Sequence, residues 1–165
     1  MLFDKAVIFT DIHLGNKNNS RLHNQDCEDF IIWMINEAHK RGIKKCFFLG
    51  DWHHHRATIN VSTLNYTVSN LRRLNDNFDE VIMIMGNHDL YYREKREINS
   101  IPMATEYPNI RIVNDTMLVE DDVAFLPWLV DDEWKKVKEV KCKFMFGHFE
   151  LPQFYMKCKL KFHMK

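Results

Sequence analysis

The sequence predicts an α/β domain built on parallel strands, and three observations predict it. Over the first half of the 165 residues, short apolar runs alternate with helical periodicity in the order strand–helix–strand–helix–strand. Right-handed parallel crossovers produce that order. The run Val81–Met85 contains no polar residue and is β-branched at Val81, Ile82 and Ile84, as in a strand buried on both faces. The apolar runs also end abruptly in polar residues: Asp11-Ile12-His13, Gly50-Asp51, Gly86-Asn87-His88-Asp89 and Gly147-His148. In open α/β sheets that carboxyl edge is where ligands bind.

Taken in order, Lys5–Thr10 reads as the first strand and Leu14–Arg21 as a polar loop hinged at Gly15. From Asn24 to Arg41, Cys27, Phe30, Ile31, Met34, Ile35 and Ala38 recur at three- and four-residue steps. That spacing predicts an amphipathic helix, with Gly42 where a C-terminal capping glycine belongs. Lys45–Leu49 is the second strand. Val61, Leu64, Val68, Leu71 and Leu74 mark a second helix that ends near Asn75–Asn77, and Glu80–Met85 is the third strand. Leu90–Ile98 is expected to be a short helix stopped before Pro102, and Tyr107–Asn109 a turn. Arg111–Val113, Met117–Val119 and Val123–Leu126 read as short strands, the last two joined by a turn at Glu120–Asp122. Asp131–Val140 is expected to be a surface helix, acidic at its start and lysine-rich at its end in accord with the helix dipole. Lys143–Phe146 is a further strand. No repeat, linker or low-complexity segment interrupts the chain, so residues 1–165 are expected to form one domain.

The 23 basic and 23 acidic residues balance, so the chain lacks the global positive charge of many nucleic-acid binders. That balance still admits a nuclease that holds DNA through metals and local patches. No apolar run approaches the roughly 20 residues of a membrane-spanning helix, so no membrane partner is expected. Met1–Lys5 places a carboxylate where a signal peptide needs an apolar stretch. The expected location is cytoplasmic, the host cytoplasm if a virus encodes the chain. Cys27, Cys46, Cys142 and Cys158 show no Cys-x-x-Cys spacing and read as reduced core cysteines.

The strand ends collect Asp11, His13, Asp51, Asn87, His88 and His148. Carboxylate, imidazole and amide oxygens without thiolates suit catalytic divalent ions better than a structural zinc knot. Asp11 and His13, two apart, project to the same side of an extended segment and can chelate one ion. Asp51 is placed to bridge two ions, with Asn87 and His148 available to the second. Two metals about 3.5–4 Å apart form a clamp for phosphoryl transfer. His88 reads as the acid or electrostatic partner of the leaving group, and Asp89 as the group that orients its imidazole.

Asp-x-His, Gly-Asp-x-x-His, Gly-Asn-His-Asp and Gly-His, in this order, resemble the calcineurin-like metallophosphoesterases. The Gly-Asn-His-Asp match alone arises by chance in roughly one chain of this length in a thousand. Within that superfamily the chain is most similar to the SbcD-type DNA repair nucleases and the recombination endonuclease subunits of T-even phages. The stretches that carry this are Asp11–Gly15, Gly50–Arg56, Gly86–Leu90 with the Tyr107–Asn109 turn, Phe125–Trp128 and Gly147–Leu151. The resemblance implies a layered sandwich, two β-sheets flanked by helices. It implies two divalent ions, most often Mn(II), with Mg(II), Fe or Zn as alternatives. It also implies phosphodiester hydrolysis on DNA, an SMC-like ATPase partner of the SbcC type, and homodimers in the full-length family. By the same resemblance Asp11 and His13 bind the first metal, Asp51 bridges, Asn87 and His148 bind the second, and His88 is the catalytic histidine. His54 falls where some of these nucleases carry a histidine that assists exonuclease chemistry. The family closes its site with a later Gly-His-x-His, which nothing after His148 supplies; His163 lacks the preceding glycine. The chain is therefore expected to be a domain whose C-terminal part is missing.

Of His53-His54-His55 only His54 has motif support, and His23 and His39 are expected to be solvated. Trp52, Tyr91, Tyr92 and Arg93 follow site motifs and are candidates to stack on or pair with DNA, with packing or surface roles as the alternative. Asn16, Lys17 and Arg56 are further candidates for substrate contact. Trp128 and Trp134 read as core or interface. The lysine-rich stretch from Lys135 to Lys165 reads either as a DNA-backbone contact or as a solvated face. The function these residues indicate is a DNA phosphodiesterase, the nuclease half of a recombination or repair complex. The alternatives are a phosphatase or small-molecule phosphodiesterase of the same superfamily, or an inactive remnant that binds metal or a partner.

Overall fold

The structure, a computed structural model, describes residues 2–150. Leu151, Cys158, His163 and the last lysines named above lie outside the described residues. Four parallel strands form the first sheet in the order β1 (Ala6–Phe9), β2 (Lys45–Phe48), β3 (Glu80–Ile84) and β4 (Ile110–Val113). Phe9 lies opposite Phe48, and Phe48 opposite Met83. This register ends the first three strands level, so the segments that follow them emerge along one edge.

Side-chain alternation explains why the central strands contain almost nothing polar. Cys46, Phe48, Val81 and Met83 face helices α1 (Arg21–Lys40) and α2 (Val61–Asn77). Phe47, Ile82 and Ile84 face the other way and pack on Val123 and Phe125. A period of two puts successive residues on opposite faces, and here both faces are covered. Burying one such side chain stabilises the fold by about 1.5–3 kcal/mol. The second sheet has the order β5 (Leu118–Glu120), β6 (Val123–Leu126) and β7 (Phe144–Gly147), antiparallel then parallel. Two sheets with helices over one of them confirm the layered α/β sandwich.

The helices begin and end where their caps dictate. Ser20 accepts a hydrogen bond from the His23 N–H and Asn60 accepts one from Ser62, so α1 starts three residues before the expected Asn24. At the other end Gly42 adopts φ 63°. Its N–H bonds His39 O while Ile43 N–H bonds Ala38 O, the pairing that closes a helix through a left-handed glycine. The expected β2, β3 and β4 differ from the observed strands by one residue at one end, and β1, β5 and β7 by one residue at each end.

Two expected helices are corrected. Leu90–Ile98 is a folded-back loop, with Leu90 bridged to Asn99 and Tyr91 N–H bonded to Ile98 O at 3.0 Å. Its Arg96 donates to Trp128 O at 2.9 Å and pairs with Glu133, an anchor across the fold that overrides local helical preference. The one helical turn in this region is a 3-10 helix at Pro102–Glu106. Of Asp131–Val140 only Trp134–Val137 is helical and none of it is buried; without an apolar face so short a helix does not extend. Among the described residues no helix is long and apolar enough to cross a membrane.

Candidate metal centre

Three loops meet beyond the ends of β1, β2 and β3. Asp11 N–H bonds Gly50 O, His13 N–H bonds Asp51 O, and Leu14 N–H bonds Trp52 O, at 2.9, 3.1 and 2.8 Å. The first loop is thus zipped to the second. The backbone there is not extended: φ is 57° at Asp11, 46° at His13 and 62° at Asp51. Same-side projection along an extended segment is therefore not what unites Asp11 and His13; left-handed kinks turn both towards Asp51. Such conformations cost on the order of 1–3 kcal/mol each and gather at functional sites.

Two glycines allow the approach. A Cβ on Gly86 would lie 2.2 Å from Asp51 Oδ1, and one on Gly50 would lie 2.7 Å from both Gly86 N and His148 Nδ1. Nothing larger than glycine fits at either place without displacing the cluster.

His13 Nε2 is 3.5 Å from Asp11 Oδ1 and 3.5 Å from Asp51 Oδ2. His148 Nε2 is 3.6 Å from the same Asp51 oxygen and 3.2 Å from Asn87 Oδ1. The structure therefore brings Asp11, His13, Asp51, Asn87 and His148 together from four separate segments. The tautomer of His148 follows from its other edge. Nδ1 lies 2.8 Å from Leu49 O, a pure acceptor, so Nδ1 carries the proton and Nε2 presents a lone pair. That lone pair, the Asn87 side-chain amide and a carboxylate oxygen face one another, a donor set that a cation between them satisfies. Asp11, His13 and Asp51 bring their ligand atoms within 4.8 Å of one another. These donors fit divalent metal ions. The hydrogen bond from His13, and with less weight that from Thr10, holds the Asp11 carboxyl below its ordinary range, while Asp11 raises His13.

His88 stands beside these residues. Its N–H donates to Asp51 Oδ1 at 2.9 Å, and its Nδ1 lies 2.7 Å from His54 O. The carbonyl of His54, not Asp89, orients the imidazole, which corrects the expected part of Asp89. The buried Asp89 carboxylate instead accepts backbone N–H bonds from Asp51 (2.7 Å), Trp52 (2.8 Å) and Gly86 (2.9 Å). Burial pushes its pKa up to about 6 against the pull of those bonds. Sequence reasoning missed this clamp; the Asp of Gly-Asn-His-Asp was its only visible trace.

His54 stacks on His88 with ring centroids 5.4 Å apart, and desolvation followed by the neighbouring imidazoles lowers its pKa. His53 points away, 2.7 Å from Thr67 Oγ1 and 2.9 Å from Ser100 Oγ, and burial lowers it to about 4. Trp52 is fully buried among core side chains, which removes it as a stacking surface. His23 is half-buried with Nε2 3.0 Å from His13 O, a support of the site loop and not a solvated residue. Cys27 and Cys46 are free and buried, whereas Cys142 is partly exposed. Of the candidates for substrate contact, Lys17, Tyr91 and Arg93 are exposed and Arg56 is half-buried. Arg93 lies over the Trp128 ring at 5.4 Å, and that ring meets His148 edge-on at 6.3 Å. Trp128 is thus a site neighbour that its position in Leu-Pro-Trp did not reveal.

The chain is similar to known proteins in sequence and in fold. Over 167 residues the chain is 27% identical to exonuclease subunit 1 of Enterobacteria phage T4, a match covering 96% of this chain and 49% of that protein. The chain thus spans about half the length of this curated relative. The crystal structure of Pseudomonas putida nuclease MPE superposes with a TM-score of 0.56 at 21% identity, over 94% of this chain and 66% of that one, a likeness of fold. Residues 5–162 match the family model described as calcineurin-like phosphoesterase. With nearly its whole length under that model, the chain belongs to the calcineurin-like phosphoesterase family.

Proposed function

We propose that the chain is a metal-dependent phosphodiesterase that cleaves DNA, using two divalent ions with Mn(II) preferred. One observation carries the reading: Asp51 Oδ2 stands between His13 Nε2 and His148 Nε2, at 3.5 and 3.6 Å, as a carboxylate shared by two ions must. Asp11 and His13 would hold one ion, Asn87 and His148 the other, and Asp51 would serve both. The ions, when bound, supply Lewis acidity to the phosphodiester and lower the pKa of an attacking water. His88, whose Nδ1–H donates to His54 O, has Nε2 left over; as the imidazolium it would give the Nε2 proton to the leaving oxygen and return to the neutral ring. His54 assists from the stacked position. Asp89 sets the backbone under all of these groups. Lys17, Arg56, Tyr91 and Arg93 hold the DNA at the rim through phosphates and bases.

DNA is favoured over small phosphate esters because the phage relative is an exonuclease subunit and the structural neighbour a nuclease. A role in repair or recombination, an SMC-like ATPase partner of the SbcC type, a homodimer and a cytoplasmic location belong to the same proposal, by resemblance.

The test is degradation of linear and plasmid DNA by the purified chain with Mn(II), beside an aryl phosphate. DNA should be degraded, and Asn87→Ala or His88→Ala should lower the rate by at least about 100-fold. Equal rates in the parent and both variants, or hydrolysis of the aryl phosphate alone, would overturn it.

A further inference from the structure

The centre contains a second donor set made only of imidazoles. His13, His54 and His88 each place a ring nitrogen within 4.8 Å of the other two. Ring centroids are 4.9 Å apart for His13–His88 and 5.4 Å for each of the other pairs. His54 and His88 stack, while His13 stands perpendicular to both. Nδ1 of His13 and Nδ1 of His54 are buried with no hydrogen-bond partner among the described residues. Buried polar atoms left without a partner call for an explanation such as an ion. His88 Nδ1 is committed to His54 O, so Nε2 is its free donor.

We infer that these three histidines form an alternative cation site, selective for Zn(II), whose filling silences the carboxylate-lined centre. Three imidazoles leave the fourth tetrahedral position open, a common arrangement for zinc. Zn–N bonds of about 2.0–2.1 Å require nitrogens about 3.3 Å apart. The trio must therefore close by about 1.5 Å from its 4.8 Å limit, within reach of side-chain rotation. Imidazole suits Zn(II), oxygen donors suit Mn(II), and the general affinity order places zinc above manganese. The two donor sets thus sort ions by chemistry.

They also exclude each other. A neutral imidazole has one lone pair to give, so His13 serves either the trio or the set with Asp11 and Asp51. Zinc on the trio removes His13 from that set and takes the free nitrogen of His88. The silencing rests on the proposed function; the binding does not.

The experiment uses the metal-stripped chain with Zn(II) as the probe, read by calorimetric titration and by X-ray absorption at one equivalent. Three nitrogen scatterers with imidazole character are expected around zinc. His54→Gln should weaken zinc at least tenfold, the scale on which lost metal-site partners act, whereas Asp11→Asn, which removes a charge beside His13 but no ligand of the trio, should change zinc affinity by less than His54→Gln does. His54→Asn, checked for native circular dichroism, repeats the first variant should Gln disturb the loop. In Mn-supported hydrolysis the zinc concentration for half-inhibition should rise by the same factor in His54→Gln. Loss of zinc affinity in Asp11→Asn with none in the His54 variants, or an oxygen-dominated zinc environment, would overturn the inference. Imidazole-bound zinc on a chain that never cleaves DNA would sink the hydrolytic reading and leave the zinc site standing.

Discussion

The carboxylate of Asp89 receives the N–H of Asp51 at 2.7 Å and that of Gly86 at 2.9 Å through the same oxygen. One buried side chain thereby couples the turn after β2 to the turn after β3. Asp89→Asn puts an amide donor among these N–H groups and removes the charge that they stabilise. The variant should lose about 3 kcal/mol or more of stability. Its Mn(II) affinity should also fall by roughly 10–100-fold although Asp89 is not in the proposed ligand set. Denaturant unfolding and metal titration check both; native metal affinity would contradict the clamp.

Gly86→Ala should be worse than an ordinary turn substitution. The added methyl would lie 2.2 Å from Asp51 Oδ1 and 2.6 Å from Asp51 N, so Asp51 must move. Metal binding should fall at least tenfold, whereas Gly42→Ala, with open space around its Cβ position, should cost only the strain of its φ, about 1 kcal/mol. Parallel titrations and melts of the two variants separate crowding from backbone strain.

His53 should make the fold acid-sensitive. Its pKa is about 4 in the native state against an ordinary 6.5, so between these values the native chain binds fewer protons than the unfolded one. Its contribution is present above pH 6.5 and lost as pH falls towards 4, about 3 kcal/mol at most. Asp89, raised to about 6, acts in the opposite sense between 3.8 and 6, so the parent curve alone hides the effect. The difference between the parent and His53→Gln isolates it: the parent should lose stability relative to the variant on going from pH 7 to pH 4.

Arg93→Ala should weaken DNA without disturbing the chemistry. Arg93 sits over Trp128 and pairs with Glu150 at 3.4 Å, at the rim and not among the metal donors. KM for DNA should rise severalfold with kcat nearly unchanged, and the salt dependence of binding should fall by about one phosphate contact. A drop in kcat of the same size as the change in KM would place Arg93 in the reaction itself.

The placement of Asp11, His13, Asp51, Asn87 and His148 was legible because each follows an apolar run, and parallel strands in level register deliver their ends to one edge. Other features were hidden for definite reasons. Trp52 and His53 follow Asp51 directly, yet the left-handed turn at Asp51 sends both into the core, and adjacency in sequence carries no sign of that. Asp89 bonds to backbone groups 36 to 38 residues away, which no side-chain pattern encodes. Leu90–Ile98 read as helical because its tether, Arg96 on Trp128 and Glu133, is supplied by the distant segment that follows β6.

The donors of the centre come from segments that meet only after the parallel crossovers are complete; Asn87 and His148 alone are separated by 61 residues. A nascent or partly collapsed chain can offer a cation the local pair Asp11 and His13 but not the full cradle. Binding to the finished state alone, the ion pulls the equilibrium towards it by about 2.7 kcal/mol at a hundred times its dissociation constant. Loops closed over such distances form late. Metal ions should accordingly slow unfolding of the mature protein while leaving its rate of assembly almost untouched, a latch on the finished structure and not a seed for it.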